Sequence, residues 1–179
     1  MSDPLLEALR AQSFRRGTFT LASGKTSDFF IDCKATALRA KGHALVGEAL
    51  LARVRAESAA AVAGVALGGC SLASAVAFAS TTDGGAPIDA VYVRKAAKGH
   101  GTGQRIEGGQ HLGAEARIVL CEDTVTTGGS SLRAVEALRD AGYVVVRVLA
   151  LVDRREGAAE TFAQAGVAFD ALYGREDFL

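Results

Sequence analysis

The residues best placed to do chemistry lie in one run, Glu122-Asp123-Thr124-Val125-Thr126-Thr127-Gly128-Gly129-Ser130. It follows the apolar stretch Arg117 to Cys121 and precedes a helical pattern starting at Ser131. Glycines let backbone N–H groups approach an anion, a helix start adds a favourable dipole, and Thr and Ser hydroxyls donate further hydrogen bonds. Such a run predicts a phosphate cradle. Two carboxylates beside it would repel a phosphate unless they face sugar hydroxyls or a hydrated divalent cation such as Mg²⁺. Together the acids and hydroxyls predict a phosphorylated sugar as ligand. The plainer alternative is an N-cap and turn with two solvated strand-end acids.

Competing nucleotide motifs lack their defining residues. There is no G-x-x-x-x-G-K-[ST], and no G-x-G-x-x-G opens a helix after the first strand. A second candidate group, Arg94, Lys95, Lys98 and His100, sits where a strand runs into the glycine-rich stretch Lys95 to Gln110. That stretch has no apolar periodicity, and loops of such length in compact domains tend to be functional lids. Alone, the basic residues would read as a solvated cluster; at a strand end they suit an anion. His43 and His111 read as structural.

The elements that must position these groups follow from hydrophobic periodicity. Leu5, Leu6 and Leu9 after Pro4 predict a short helix, and Thr18 to Leu21 with Phe29 to Asp32 a hairpin. Between Lys41 and Glu57, Leu45, Val46, Ala49, Leu50 and Val54 recur at helical spacing. Strands are expected at Ala61 to Leu67, Asp89 to Arg94, Arg117 to Glu122, Val144 to Asp153 and Ala168 to Leu172. Helices are expected at Leu72 to Ser80, Ser131 to Ala141 and Ala158 to Ala165. Such alternation predicts an α/β fold with a parallel sheet flanked by helices and ligands at the strands' carboxyl ends. Gly68-Gly69-Cys70-Ser71 reads as a turn that splits the uncharged stretch Ser58 to Thr82 into strand and helix, so a membrane span is not expected.

Composition narrows the function classes. The 179 residues suit one domain, 1–179, and 49% hydrophobic residues suffice for a core. Twenty basic and twenty acidic side chains give zero net charge, which argues against a nucleic-acid partner. Cys33, Cys70 and Cys121 form no disulfide or zinc spacing, and Met1-Ser2-Asp3-Pro4 opens no signal peptide, so a cytoplasmic location is expected. Cys70 has no evident paired base and reads as packing.

The strand ending in two acids and running into Thr-x-Thr-Thr-Gly-Gly-Ser resembles the phosphoribosyl-pyrophosphate motif of type I phosphoribosyltransferases. Arg94-Lys95-x-x-Lys98-x-His100-Gly101 resembles the mobile catalytic loop of the orotate-specific branch. Phe19-x-Leu21-x-Ser23-Gly24-x-x-Ser27-x-Phe29-Phe30-x-Asp32 resembles its substrate hairpin. The resemblance implies a hood from residues 1–35 plus the C-terminal segment, and Mg²⁺-dependent transfer of ribose 5-phosphate from phosphoribosyl pyrophosphate to orotate. It implies a homodimer whose 94–110 loop reaches the neighbouring site. Implied catalytic residues are Lys98, Glu122 and Asp123, the acids holding ribose hydroxyls and hydrated Mg²⁺. Donor contacts fall on Lys25, Arg94, Lys95, Lys98, His100 and the run from Glu122 through Thr124, Val125, Thr126, Thr127, Gly128 and Gly129 to Ser130. Thr126, Phe29, Phe30 and Arg154 are implied for orotate, with Arg155 the alternative to Arg154 and Thr26 to Lys25. The chain departs from the family at Leu67 to Ser71, where many members carry Asp-Pro or Lys. Rival readings are a transferase for a purine or uracil, and a regulator that only senses the donor.

Overall fold

The computed structural model describes residues 3–20, 24, 26–95 and 105–179. Lys25, Lys98 and His100 lie outside the described residues. The chain opens with α1 (Pro4–Gln12), a hairpin of β1 (Phe14–Thr20) and β2 (Thr26–Ile31), and a one-turn helix α2 (Lys34–Ala37). The α3 helix (Ala40–Ala56) leads to the alternating series β3 (Ala61–Val65), α4 (Gly68–Ala79), β4 (Asp89–Val93), β5 (Ile106–Glu107) and β6 (Arg117–Val125). Then follow α5 (Gly129–Asp140), β7 (Val144–Asp153), α6 (Ala158–Gln164), β8 (Phe169–Gly174) and a 3-10 turn at Arg175–Asp177.

Local chemistry explains these boundaries. Asp3 caps α1 by accepting from the N–H groups of Leu5 and Leu6, and Pro4 opens the helix where its missing N–H costs nothing. Leu5 and Leu9 of this helix are buried and Leu6 packs against the same core, while Glu7 faces outward. Gly128 stands at the start of α5 with φ of 85°, and a Cβ there would lie 3.1 Å from the Phe162 ring. Both the backbone and the space demand glycine at that turn.

The six-stranded sheet has the order β5-β4-β3-β6-β7-β8. Every pairing is parallel except β4 with β5. Residues alternate between the two faces. Val62, Val119, Cys121, Leu149 and Leu151 join one core with Leu9, Val46, Leu50, Leu72 and Val76 of α1, α3 and α4. Ala63, Ile118, Leu120, Val148 and Ala150 join the other with Val135, Leu138 and Phe162 of α5 and α6. Each fully buried leucine contributes roughly 1.5–3 kcal/mol relative to exposure. The hairpin docks on the first core through Phe29 and Ile31, and Arg10 and Arg16 donate to the C-terminal carbonyls of Asp177 and Leu179.

The direction in which strands are added to the sheet reverses between the parallel neighbours β3 and β6. After β3 the chain passes through α4 to β4 on one side; after β6 it passes through α5 to β7 on the other. The carboxyl ends of these adjacent strands therefore flank a crevice, where ligands of open α/β sheets bind.

Four expected boundaries require correction. The hairpin's first strand begins at Phe14 rather than Thr18, with a pairing irregularity between Arg16 and Phe19. The stretch 95–110 is not all loop, because Ile106 and Glu107 pair with Val93 and Tyr92. The strand from Arg117 reaches Val125 rather than Glu122, since its ladder with β7 continues to Asp153. Gly68-Gly69 is not a free turn but the start of α4. A Cβ on Gly64 would lie 2.1 Å from the Gly69 carbonyl oxygen, and one on Gly69 would lie 2.5 Å from that of Cys121. These glycines thus serve close packing of helix on sheet, outweighing their poor helix propensity. The split of Ser58 to Thr82 into β3 and α4 holds, and no described helix is long and apolar enough to cross a membrane.

Candidate active site

At the ends of β3 and β6 a cavity of about 560 Å³ is lined by Lys34, Ala66, Leu67, Gly68, Arg94, Lys95, Glu122 and Asp123. Both acids belong to β6 rather than to the loop beyond it. Glu122 is buried and its Oε2 accepts a hydrogen bond from Ser131 Oγ at 3.2 Å. Burial, then the neighbouring Asp123 charge, push the Glu122 carboxyl up to about 8. At neutral pH burial and the neighbouring charge therefore favour the protonated form of Glu122.

The Asp123 carboxylate lies directly over Gly68, where a Cβ would fall 2.1 Å from Oδ2 and 2.2 Å from Cγ. Its Oδ2 also lies 3.8 Å from the Lys34 ammonium, which is held at 2.6 Å by Asp32. Next to it, Thr124 Oγ1 lies 3.4 Å from Cys33 Sγ. The segment Asp32-Cys33-Lys34 thus joins the hairpin to the acidic strand end. Burial pushes the Cys33 and Cys121 thiols up to about 12, which leaves neither as a nucleophile.

Beyond the acids, Val125 turns its side chain into the core and its carbonyl accepts from Arg154 N–H, so it faces no ligand with its side chain. Thr126 is half-buried, while Thr127 and Ser130 are exposed around Gly128 and Gly129. Among the described residues no side-chain cap is made at Gly128, where α5 starts. Its first N–H groups and positive dipole end therefore face the hydroxyl-lined turn, an arrangement that suits a phosphate.

Arg94 and Lys95 reach the cavity from the end of β4. Arg94 Nε donates to Glu107 at 2.7 Å, and Arg94 N–H donates to the Arg105 carbonyl, so the two stems of the glycine-rich stretch are tied together. His43 and His111 serve structure: His43 Nδ1 lies 3.1 Å from the Ala37 carbonyl and His111 pairs with Asp89 at 2.8 Å.

A third group stands at the end of β7. Arg154 is buried, with Nε donating to Glu156 at 2.9 Å and a terminal nitrogen donating to Ser27 Oγ at 2.9 Å. Its guanidinium lies 4.2 Å from the Phe29 ring centroid. Arg155 turns outward to Asp153 and Glu176. Of the two adjacent arginines, Arg154 is thus the one turned toward the hairpin. Strand alternation separates the phenylalanines: Phe29 is buried beneath Arg154, and Phe30 is exposed with its ring 5.6 Å from Phe19.

Lys34 and Ala66 were not among the expected site residues, whereas Asp32 closes the hairpin motif and Leu67-Gly68 open the stretch that departs from the family. Lys34 has a visible signal, since it lies just beyond the hairpin motif that ends at Asp32. Gly68 has only a negative one, a turn lacking charged side chains.

This arrangement of acids, hydroxyls and arginines can be set beside known proteins. Residues 37–168 match the family described as phosphoribosyl transferase domain. The orotate phosphoribosyltransferase of Sorangium cellulosum (strain So ce56) is 51% identical over 179 residues, covering 98% of this chain and 91% of that protein. The chain belongs to the orotate phosphoribosyltransferase family. The Mycobacterium tuberculosis H37Rv orotate phosphoribosyltransferase, solved in complex with 5-phospho-alpha-D-ribosyl 1-diphosphate, matches with a TM-score of 0.80 at 33% identity, over 98% of this chain and 97% of that one. The adenine phosphoribosyltransferase of Leishmania donovani matches with a TM-score of 0.72 at 18% identity, over 98% of this chain and 82% of that one. That last likeness speaks for the fold alone. The fold alone names no acceptor, whereas membership of the orotate phosphoribosyltransferase family makes the chain a pentosyltransferase that uses phosphoribosyl pyrophosphate.

Proposed function

We propose that this chain transfers ribose 5-phosphate from phosphoribosyl pyrophosphate to N1 of orotate, releasing diphosphate, in pyrimidine biosynthesis. The observation that carries this reading is Arg154. A buried guanidinium beside a phenylalanine ring, on the strand adjoining the acid and hydroxyl run, suits a flat carboxylated ring presented to a sugar.

In this mechanism the C1–O bond to diphosphate breaks as the N1–C1 bond forms and the N1 proton is lost. Positive charge develops on the ribose ring and negative charge on the leaving diphosphate. Glu122 and Asp123 hold the ribose hydroxyls and stabilise the ring. Thr126 to Ser130 and the α5 N-terminus bind the 5-phosphate, with Thr124 and Val125 setting the approach to that turn. Arg94 and Lys95, with Lys98 and His100 from the glycine-rich stretch, stabilise the leaving diphosphate more than the bound donor, which is how oriented charge lowers a barrier. Lys25 or Thr26 contacts a phosphate. Arg154 grips the orotate carboxylate, with Thr126 and the Phe29-Phe30 pair placing the ring.

The donor set also suits Mg²⁺ carried by the substrate. Among the described residues no three His, Cys, Asp or Glu side chains gather to hold a metal. Mg²⁺ commonly retains waters and takes one or two carboxylates plus substrate phosphates, which Glu122 and Asp123 can supply. Held there by Glu122 and Asp123, such an ion would offset the negative charge of the leaving diphosphate.

The proposal extends to a cytoplasmic homodimer in which the 94–110 loop serves the neighbouring site. Leu67 and Phe78, 80% and 70% exposed on the cavity turn and on α4, support an apolar face that a second copy covers. Sedimentation at micromolar concentration is expected to give a species of twice the chain mass. The hairpin and C-terminal segment, joined through Arg175 and Asp28, form a hood over the one domain.

The deciding experiment follows ultraviolet absorbance with orotate, phosphoribosyl pyrophosphate and Mg²⁺, offering adenine, hypoxanthine and uracil in parallel. Consumption of orotate alone is expected. Activity on another base without activity on orotate would refute the reading.

A further inference from the structure

Lys34 lines the active-site cavity yet belongs to no motif of the donor loop or the lid. Its ammonium meets Asp32 Oδ1 at 2.6 Å and Asp123 Oδ2 at 3.8 Å, while Asp32 Oδ1 also accepts the Lys34 backbone N–H at 3.1 Å. The side chain is thus steered from both ends by one carboxylate toward another. On its other side, Asp123 fills the space above Gly68, where even a methyl group would intrude, and lies beside the Glu122 carboxyl. One residue earlier, Cys33 Sγ lies 3.4 Å from Thr124 Oγ1, so two consecutive residues after the hairpin meet two consecutive residues of β6. The hydrogen bond to Asp32, with the Asp123 charge adding to it, holds the lysine above its usual range, so it stays a cation.

We propose that Lys34 is a positioning residue: steered by Asp32, its ammonium fixes the Asp123 carboxylate over Gly68. The inference rests on the assignment of Asp123 to the donor ribose. Arg94 and Lys95 precede a segment that must admit substrate, whereas Lys34 stands on a helix packed against α3 and α1. Its role is to have Asp123 already oriented when the donor arrives, which lowers the cost of ordering it during the reaction.

The test compares Lys34→Met, Lys34→Arg and Asp123→Asn with the unmodified chain, and Lys34→Met/Asp123→Asn with Asp123→Asn. Affinity for phosphoribosyl pyrophosphate with Mg²⁺ is read by calorimetry and turnover by orotate consumption. A misplacement near 1 Å costs on the order of a hundred-fold. Lys34→Met is therefore expected to lose about ten- to a hundred-fold in kcat/KM for the donor, with KM for orotate unchanged. Lys34→Arg should recover most of that loss, and the double variant should fall no further than Asp123→Asn alone. Unchanged donor affinity and kcat/KM in Lys34→Met would overturn the proposal. So would additive losses in the double variant, which would mean direct donor contact. If the unmodified chain binds donor but does not consume orotate, the acceptor assignment fails while donor calorimetry still decides the role of Lys34.

Discussion

Replacing Gly68 with alanine isolates the geometry of one carboxylate from the stability of the fold. The added Cβ would lie 2.1 Å from Asp123 Oδ2, whereas ordinary contact begins at 3.4 Å, so the oxygen must retreat by about 1.3 Å (3.4 minus 2.1). The obstructing atoms are the end of a short side chain at the mouth of a cavity, not backbone. Rotation of Asp123 relieves the clash without unpacking the sheet, and alanine favours the helix start more than glycine by up to about 1 kcal/mol. Stability should therefore hold or rise slightly. Turnover should drop on the order of a hundred-fold, because a catalytic group displaced by roughly 1 Å loses its alignment. Thermal unfolding and steady-state kinetics with varied donor concentration measure the two effects separately. The control is Gly64→Ala, whose Cβ would meet the Gly69 backbone oxygen at 2.1 Å and force the helix off the sheet. Overpacking of that kind costs about 1–3 kcal/mol or more and should lower the melting temperature. If Gly68→Ala keeps full kcat/KM at unchanged stability, Asp123 does not work from the position it occupies here.

Arg154→Lys should raise KM for orotate at least ten-fold, since an ammonium cannot reproduce the planar grip, while Arg155→Ala should leave it within about two-fold; kinetics with varied orotate decide this. Lys98→Ala should lower kcat far more than donor affinity, as measured by turnover and calorimetry, and an unchanged kcat would remove this residue from the leaving-group chemistry. The Glu122 carboxyl, held up to about 8, binds a proton in the folded chain that the unfolded chain has already released above its ordinary range near 4.5. Its contribution to stability is therefore greatest in acid and declines as pH rises toward 8, by up to about 1.4 kcal/mol per pH unit. Urea unfolding of Glu122→Gln between pH 5 and 9 should show a flatter decline than the unmodified chain.

What the sequence made legible follows the range of the interactions involved. The β3 to β8 series was readable because burial on both sheet faces writes continuous apolar runs such as Ile118 to Cys121, and α3 because its apolar residues recur at helical steps. The cradle was readable because glycines, hydroxyls and a helix start lie together in sequence. Nothing local marks Ile106-Glu107 as a strand, since its partner is Tyr92-Val93 across the glycine-rich stretch. The helical state of Gly68-Gly69 likewise depends on Gly64 and Cys121, so propensity alone points the wrong way. Arg154 and Arg155 are indistinguishable in the sequence. The structure separates them because Ser27 and Phe29, over a hundred residues earlier, offer a half-buried hydrogen bond and a ring to one, while Glu176 takes the other.

The start of α4 at Leu67 to Ser71 gains a physical meaning from Lys34. Having no charged side chain, it offers a diphosphate no cation, yet its lack of bulk at Gly68 admits the Asp123 carboxylate. A larger residue there would take the space that Asp123 occupies. The cation that this helix start could have carried stands across the cavity on α2, where Asp32 fixes its direction. Three cations, Lys34, Arg94 and Lys95, line the cavity with Glu122, whose carboxyl is held toward its protonated form, and Asp123, a lining that suits entry of a polyanion. Restoring a lysine at Gly68 should therefore fail to improve donor affinity, because the same side chain would displace Asp123; calorimetry on Gly68→Lys showing tighter donor binding with full turnover would contradict this reasoning.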